Sequence, residues 1–350
     1  MMAIMVSPVY AGLMSTPTLS PRSTPGPPTR NLALELVRAT EAAALRSAQW
    51  VGRGDKNAGD GAAVEAMRLV LNSIPMDAEV VIGEGEKDEA PMLYSGERVG
   101  TPPGPELDLA IDPVEGTSLL ALGRPGAIAV VAAAPKGTML DTGAGFYAAK
   151  IVVGAAARDA IDLNVGVAEN LQEIAYALRK KVGQVTVFVL GKPRHDGLID
   201  DIRTAGARVT VQPEGDVAGG ISAALPDTGV DVLMGTGGTP EGIITAAAVQ
   251  ALGGNMLMRL DPQKDDEKAG LLAAGFDLTH VYGLEELCSS EQTHFAATGI
   301  TDGPMLRGVR YSSIGAVTHS LVIRGQTRTL RFIESHHHLD KLRTISDLEY

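Results

Sequence analysis

Residues 107–121, LDLAIDPVEGTSLLA, gather groups that could do chemistry into one short stretch. Asp112 and Glu115 share a tight turn, with the Thr117 hydroxyl two residues on. Alternating Leu107, Leu109 and Ile111 predict a strand. Pro113 predicts that it stops near Asp112, because proline cannot donate to a central ladder, and the apolar run from Leu119 predicts a helix. Two carboxylates held that close repel unless a cation or a proton intervenes. Hard oxygen ligands of this kind suit Mg²⁺ or Mn²⁺, and phosphate esters are the usual cargo of such ions. Capping of the helix alone would account for one acid or for the threonine, but not for the whole group. A metal site is the better reading.

Three further segments follow the same logic. Asp55, Lys56, Asn57 and Asp60 lie in a glycine-rich loop (52–61) ahead of a helix expected over 62–72. Glu84, Glu86, Lys87 and Asp88 follow the apolar run Val80, Val81, Ile82. Gly235 to Gly242, with Glu241, joins a strand ending at Met234 to a helix over 241–252. In open α/β sheets ligands bind at the carboxyl ends of strands. A single acid at a helix start complements the helix dipole and needs no ligand. Four such clusters, each flanked by glycines, point instead to a multi-metal carboxylate site.

Groups suited to phosphate and sugar accompany them. Lys192, Pro193, Arg194, His195 and Asp196 follow an apolar strand and open a helix, where Arg194 can grip phosphate bidentately and backbone amides add donors. As an alternative, this stretch is an ordinary solvated loop. Glu214, Gly215 and Asp216 sit at the next strand–helix junction and suit sugar hydroxyls. Tyr147 offers an OH and a ring. His336, His337 and His338 are consecutive, so they point in different directions and do not share one site. The glycines at 235–238 lack both GxGxxG and a Walker lysine.

The elements that must hold these groups alternate. Helical periods occur at 31–50 (with Asn31 as a plausible cap), 170–181 and 195–205, and another helix starts at Asp216. Strand patterns occur at 79–82, 127–134, 151–153, 185–190, 209–212 and 230–234, and several more within 294–333. An α/β or α+β layered protein is expected, with sheets at two levels. A chain of 350 residues with 45% hydrophobic content can bury a large core. Only 4% of residues are aromatic and 41 are glycine, which suits close helix–sheet packing. The net charge of −12, with no basic cluster, argues against a nucleic-acid partner. The single cysteine, Cys288, excludes an internal disulfide, fits a reducing cytosol and reads as an inert thiol. No run approaches the length of a transmembrane helix, so no membrane partner is expected. Residues 1–30 hold six of the 20 prolines and no acid, and read as a disordered tail.

The motifs WVGRGDKN (50–57), VIGEGEKDEAPMLY (81–94), DPVEGT (112–117), KPRHD (192–196) and GGTPEG (237–242) occur in order. Together they resemble the bacterial class II fructose-1,6-bisphosphatases, within the lithium-sensitive, metal-dependent phosphatase superfamily. The resemblance spans residues 31 to about 342. It implies an αβαβα five-layer sandwich over 31–350, built as two closely packed α/β halves with a boundary near 160. It implies a cytoplasmic homo-oligomer, dimer or tetramer, that hydrolyses D-fructose 1,6-bisphosphate to fructose 6-phosphate and phosphate in gluconeogenesis. Asp60, Glu84, Asp112, Glu115 and Glu241 match the family's metal acids. Glu115, Gly116, Thr117, Tyr147, Lys192, Pro193, Arg194, Glu214, Gly215, Asp216 and Gly238 match its substrate contacts. Thr117, Lys56 and Asp88 match residues tied to catalysis, with Thr117 orienting the attacking water. Ser118 stands where many relatives carry Arg, Glu214 replaces a more usual Asp, and the segment after Arg259 is shortened. Alternatives are sedoheptulose 1,7-bisphosphate or an inositol phosphate as substrate, or a non-catalytic sugar-phosphate sensor.

Overall fold

Residues 128–134, IAVVAAA, are apolar without alternation, and every one of them is buried. A strand of that kind must be covered on both faces, and the architecture of the computed structural model follows from this demand. The structure describes residues 31–85, 92–141, 143, 145–313 and 315–343. The expected tail over 1–30 and Asp88 lie outside the described residues.

The chain begins with α1 (Ala33–Ser47), α2 (Lys56–Leu71), β1 (Asp77–Ile82), β2 (Arg98–Val99), β3 (Glu106–Glu115), α3 (Thr117–Leu122) and β4 (Ile128–Pro135). It continues through β5 (Tyr147–Val153), α4 (Val167–Ala177), β6 (Thr186–Leu190), α5 (Asp196–Thr204), β7 (Arg208–Gln212) and α6 (Asp216–Ala224). Next come β8 (Val232–Gly238), α7 (Thr239–Leu252), β9 (Asn255–Leu260), α8 (Asp265–Ala273), β10 (Tyr282–Gly283) and α9 (Leu284–Leu287). The last elements are β11 (His294–Gly299), β12 (Arg310–Tyr311), β13 (Ala316–Arg324), β14 (Thr329–His337) and α10 (Leu339–Leu342). One sheet is ordered β12-β13-β11-β4-β3-β1-β2, with β14 also paired to β13; the other is ordered β10-β9-β5-β8-β6-β7. The chain thus leaves the first sheet after β4 and returns to it at β11.

Alternation along each strand assigns its faces. On β4, Ala129, Val131 and Ala133 pack with Leu36 and Ala43 of α1 and Met67 of α2. Ile128, Val130, Ala132 and Ala134 pack with α6 and α7. Phe188 and Leu190 of β6 meet the same central helices from the second sheet, while Val187 and Val189 face α4 and α5. Helices, sheet, helices, sheet, helices is the expected five-layer order. Because α7 lies between two sheets, it is buried almost all round, which is why its sequence shows little amphipathic period.

Local expectations are corrected in four places. β8, expected to end at Met234, runs on through the glycines to Gly238, and α7 begins directly at Thr239. β3 runs on through Pro113 to Glu115, because its register with β4 skips from Asp112 to Glu115 and β1 pairs with it only as far as Ala110. The proline therefore sits where no ladder amide is needed. The helix expected over 62–72 begins six residues earlier, at Lys56, because the Asp55 carboxylate caps it by accepting from the Ala58 N–H (3.0 Å). The first helix is entered through Leu32 with no side-chain cap, rather than through Asn31.

Close packing of the central layer generates a test. A Cβ added at Gly219 of α6 would fall well inside contact distance of the Phe188 ring. In a free helix, Gly→Ala stabilises by roughly 1 kcal/mol. Here the sign should reverse, with Gly219→Ala destabilising by about 1–3 kcal/mol through overpacking. Denaturant unfolding of the two proteins measures it, and a gain in stability would contradict the packing described.

Candidate active site

Parallel strands point their carboxyl ends the same way, and both sheets use this. β1 and β3 are parallel, as are β6 with β7 and β6 with β8. Glu84 follows β1, and Asp112 and Glu115 end β3. Lys192 and Arg194 follow β6, residues 214–216 follow β7, and Gly238 and Glu241 stand where β8 becomes α7. Antiparallel β5 adds its first residue, Tyr147, opposite Gly238. Together they line one cleft of about 780 Å³.

Nearly all the expected residues meet there. Asp60, Glu84, Asp112, Glu115, Gly116, Thr117, Tyr147, Lys192, Arg194, Glu214, Gly215, Asp216, Gly238 and Glu241 line the cleft. Pro193 does not, being exposed in the turn that carries Lys192 and Arg194. Lys56 does not either: it is exposed at the first position of α2, one turn before Asp60. Asp60 lies within α2 rather than in a loop, presented by a helix whose Gly59 admits Leu120 of α3 and Trp50. Gly83 leaves no room for a Cβ against the Leu93 carbonyl, and the Glu84 N–H donates to that carbonyl (2.9 Å).

The acids bear one another's charge. Burial first, and then Glu84, Glu115, Glu241 and Asp60, push the Asp112 carboxyl well above its ordinary range. Asp60 and Glu84 are hydrogen-bonded to each other and both are raised, chiefly by burial. Glu241 is raised by burial and by Asp216, with Lys150 opposing. Glu115, 4% exposed, is pushed up to about 8 by burial first and by Asp216 second. Its Oε1 accepts from the Val217 N–H (3.1 Å) at the start of α6, while its Oε2 is buried without a partner. Among the described residues no three of these side chains already converge on a single point; they share a cleft and a field.

Backbone amides hold the carboxylates. Asp112 accepts from the Val114 N–H (3.0 Å), and Glu214 from the Ser118 N–H (3.1 Å). Glu214 thereby serves the amide end of α3, whose own N-cap, Gly116 at φ +90°, offers no side chain. Thr117 does not cap the helix, so the capping account of its hydroxyl fails.

Basic groups line the same cleft. The Arg194 guanidinium donates twice to the Thr236 carbonyl (Nε 3.1 Å, Nη2 2.9 Å) and lies 5.0 Å from the Tyr147 ring centre. His195 beneath it is structural. Its Nδ1–H donates to the Leu190 carbonyl (2.7 Å) and its Nε2 accepts from the Thr236 N–H (2.7 Å). Burial lowers its pKa and favours this neutral form. Sequence reasoning missed Phe146, Lys264, Asp266 and Glu267, which also line the cleft. Buried Glu267 accepts from the amides of Phe146, Tyr147 and Gln263, each 2.9 Å away, and so fixes Tyr147. A patterned β9 and an acid-led α8 were the available signals.

Two expectations outside the cleft are met. Cys288 is buried, with its thiol pushed up to about 11, as an inert thiol requires. His336 contacts Glu334 while His337 contacts Thr318, so the histidine run diverges. Among the described residues no helix is long and apolar enough to cross a membrane.

The pKa of Glu115 sets a pH dependence. Its ordinary value is 4.5 and its folded value about 8, so between these the folded state holds a proton that the unfolded chain has released. Its contribution to stability is complete below about pH 4.5 and lost as pH rises through about 8. In protein stripped of divalent cations with EDTA, the melting temperature should fall across that window. Glu115→Gln, which keeps an acceptor for Val217, should flatten part of the fall, whereas equal slopes would mean that Glu115 does not titrate there.

The family model described as bacterial fructose-1,6-bisphosphatase, glpX-encoded, matches residues 30–337. The chain is 47% identical over 332 residues to the class 2 fructose-1,6-bisphosphatase of Haemophilus influenzae, covering 91% of this chain and 99% of that protein. It is 46% identical over 325 residues to fructose-1,6-bisphosphatase 1 class 2 of Escherichia coli strain K12, covering 89% of this chain and 96% of that one. On the extent of these matches, the chain belongs to the glpX-encoded bacterial fructose-1,6-bisphosphatase family.

Proposed function

We propose that this chain is a cytoplasmic enzyme that hydrolyses D-fructose 1,6-bisphosphate, with water, to D-fructose 6-phosphate and phosphate. One observation carries the reading: a set of carboxylates and a basic pair, Lys192 and Arg194, line one cleft in a chain of this family. A substrate with two phosphates on one sugar needs both. The acids serve the phosphate that is cleaved, and the basic groups hold the one that stays.

The acids are themselves anionic when ionised, so a phosphate can join them only with cations between. Glu115 Oε2, buried and unpartnered, and a set of neighbouring oxygen donors fit a hard divalent ion. Asp60, Glu84, Asp112, Glu115 and Glu241 would hold Mg²⁺ or Mn²⁺. Such ions supply charge neutralisation at phosphoryl oxygens and a lowered pKa for water.

The protein's own part is positioning. The Thr117 hydroxyl, at the first residue of α3, orients the attacking water, and a neighbouring carboxylate accepts its proton. Ser118 and Val217 amides are occupied by Glu214 and Glu115, which keeps both helix starts fixed around the reacting phosphate. Arg194, steered by Thr236 and Tyr147, turns its remaining donors to the distal phosphate. Lys56 and Asp88 retain their assignment to catalysis on the family resemblance alone.

Phosphate release from fructose 1,6-bisphosphate, sedoheptulose 1,7-bisphosphate and an inositol phosphate, with Mg²⁺ and with Mn²⁺, tests the reading. Release that is fastest from fructose 1,6-bisphosphate and abolished by EDTA is expected. Binding without release would make the chain a sensor.

Two variant series sharpen it. Thr117→Ser should keep substantial activity, whereas Thr117→Ala should lower kcat on the order of 10²-fold, the scale of one positioned group, with a smaller change in KM. An alanine variant as fast as wild type would remove Thr117 from the chemistry. Asp112→Asn and Glu241→Gln should abolish turnover and shrink the rise in melting temperature that Mn²⁺ gives the wild type. In EDTA both should melt slightly higher than wild type, since like-charge repulsion falls. An unchanged Mn²⁺ shift would exclude that residue as a ligand.

A further inference from the structure

Lys150 lies in mid-strand among apolar neighbours, in YAAKIVV, and is 2% exposed. A buried ammonium survives only when its donors are satisfied, and both of its partners stand at helix starts. It is paired with the Asp216 carboxylate, at the first residue of α6, and donates to the Gly238 carbonyl (2.7 Å), at the N-cap of α7. Lys150 does not line the cleft, whereas Asp216 and Gly238 do. One glycine makes the arrangement possible: Gly237 has no room for a Cβ beside the Asp216 carboxylate.

We propose that Lys150 is a positioning residue for the sugar: it clamps the 214–216 turn to the 238–241 turn, so that Asp216 and Gly238 present one fixed surface to the substrate's hydroxyls. The proposal rests on the sugar-bisphosphatase reading above. Asp216, its charge already matched by Lys150, acts as a hydrogen-bond acceptor toward a hydroxyl rather than as a ligand for the cations. Lys150 therefore acts on affinity through Asp216, while its charge also bears on the neighbouring Glu241 carboxylate.

The test is a double-mutant cycle with Lys150→Met, Asp216→Asn and both together. It reads kcat and KM for fructose 1,6-bisphosphate, and melting temperature with and without Mn²⁺. Wild-type turnover, measured first, tests the proposed activity separately. Each single variant should raise KM on the order of tenfold, the scale of one lost charge-assisted hydrogen bond, with kcat altered about threefold at most. The double variant should be no worse in KM than the worse single, because one contact is lost in all three. It should also melt above Lys150→Met, whose Asp216 charge is stranded, and Asp216→Asn should keep the full Mn²⁺ shift. Multiplied KM effects, an unchanged KM in Lys150→Met, or a KM that recovers in the double along with its melting temperature would each overturn the proposal. Should Lys150→Met fail to fold, the double must still raise KM to the level of Asp216→Asn; a higher KM overturns it.

Discussion

Like charge crowded away from water is the constraint on which this structure turns. Asp60, Glu84, Asp112, Glu115 and Glu241 line one cleft; burial raises every one of these carboxyls, and the charges of fellow acids in the set add to it at Glu84, Asp112 and Glu115. Left to Coulomb's law the side chains would swing apart or take up protons. The fold restrains them with rigid parts. The acids come from strand ends, a helix face and helix starts, and the oxygens of Asp112 and Glu115 rest on backbone amides that cannot rotate away.

Those amide contacts also join the layers. Glu115, at the end of a strand in the first sheet, receives the Val217 amide of α6, a helix of the central layer. Glu214, just before α6, receives the Ser118 amide of α3 on the side of the first sheet. The exchange is reciprocal, so the interactions that tame the carboxylates also hold the walls of the cleft together. A separate pair of buried anchors sets the basic side. His195 ties the end of β6 to β8, and Glu267 ties three amides around Tyr147. Arg194 is thus aimed before any ligand arrives, which lowers the ordering cost of binding.

Much of this was legible in the chain. Glycine-flanked acids at the ends of apolar runs carried the site, since carboxylates grouped in that way have few structural uses. Continuous apolar strands such as 128–134 carried the two-sided burial of the sheets. The misreadings came where local signals compete. Pro113 signals a strand end, yet the ladder skips it. The glycines of 52–61 signal a loop, yet Asp55 caps a helix that runs through half of them. Lys56 and Pro193, carried in on motif alone, stay outside the cleft lining.

What the sequence by itself determined is therefore chemical and local: which residues can bind a cation or a phosphate, and which segments must be buried. Period and composition act over a few residues and need no partner to be read. Only the tertiary structure decided which distant groups meet. It returns β11 to β14 to the first sheet, brings Glu267 under Tyr147, and matches Lys150 to Asp216 across 66 positions of chain. A lone lysine in an apolar strand shows that a counter-charge must exist, but many acids could supply it. Which one does so depends on how the sheets stack, and that is settled by the packing of the whole core.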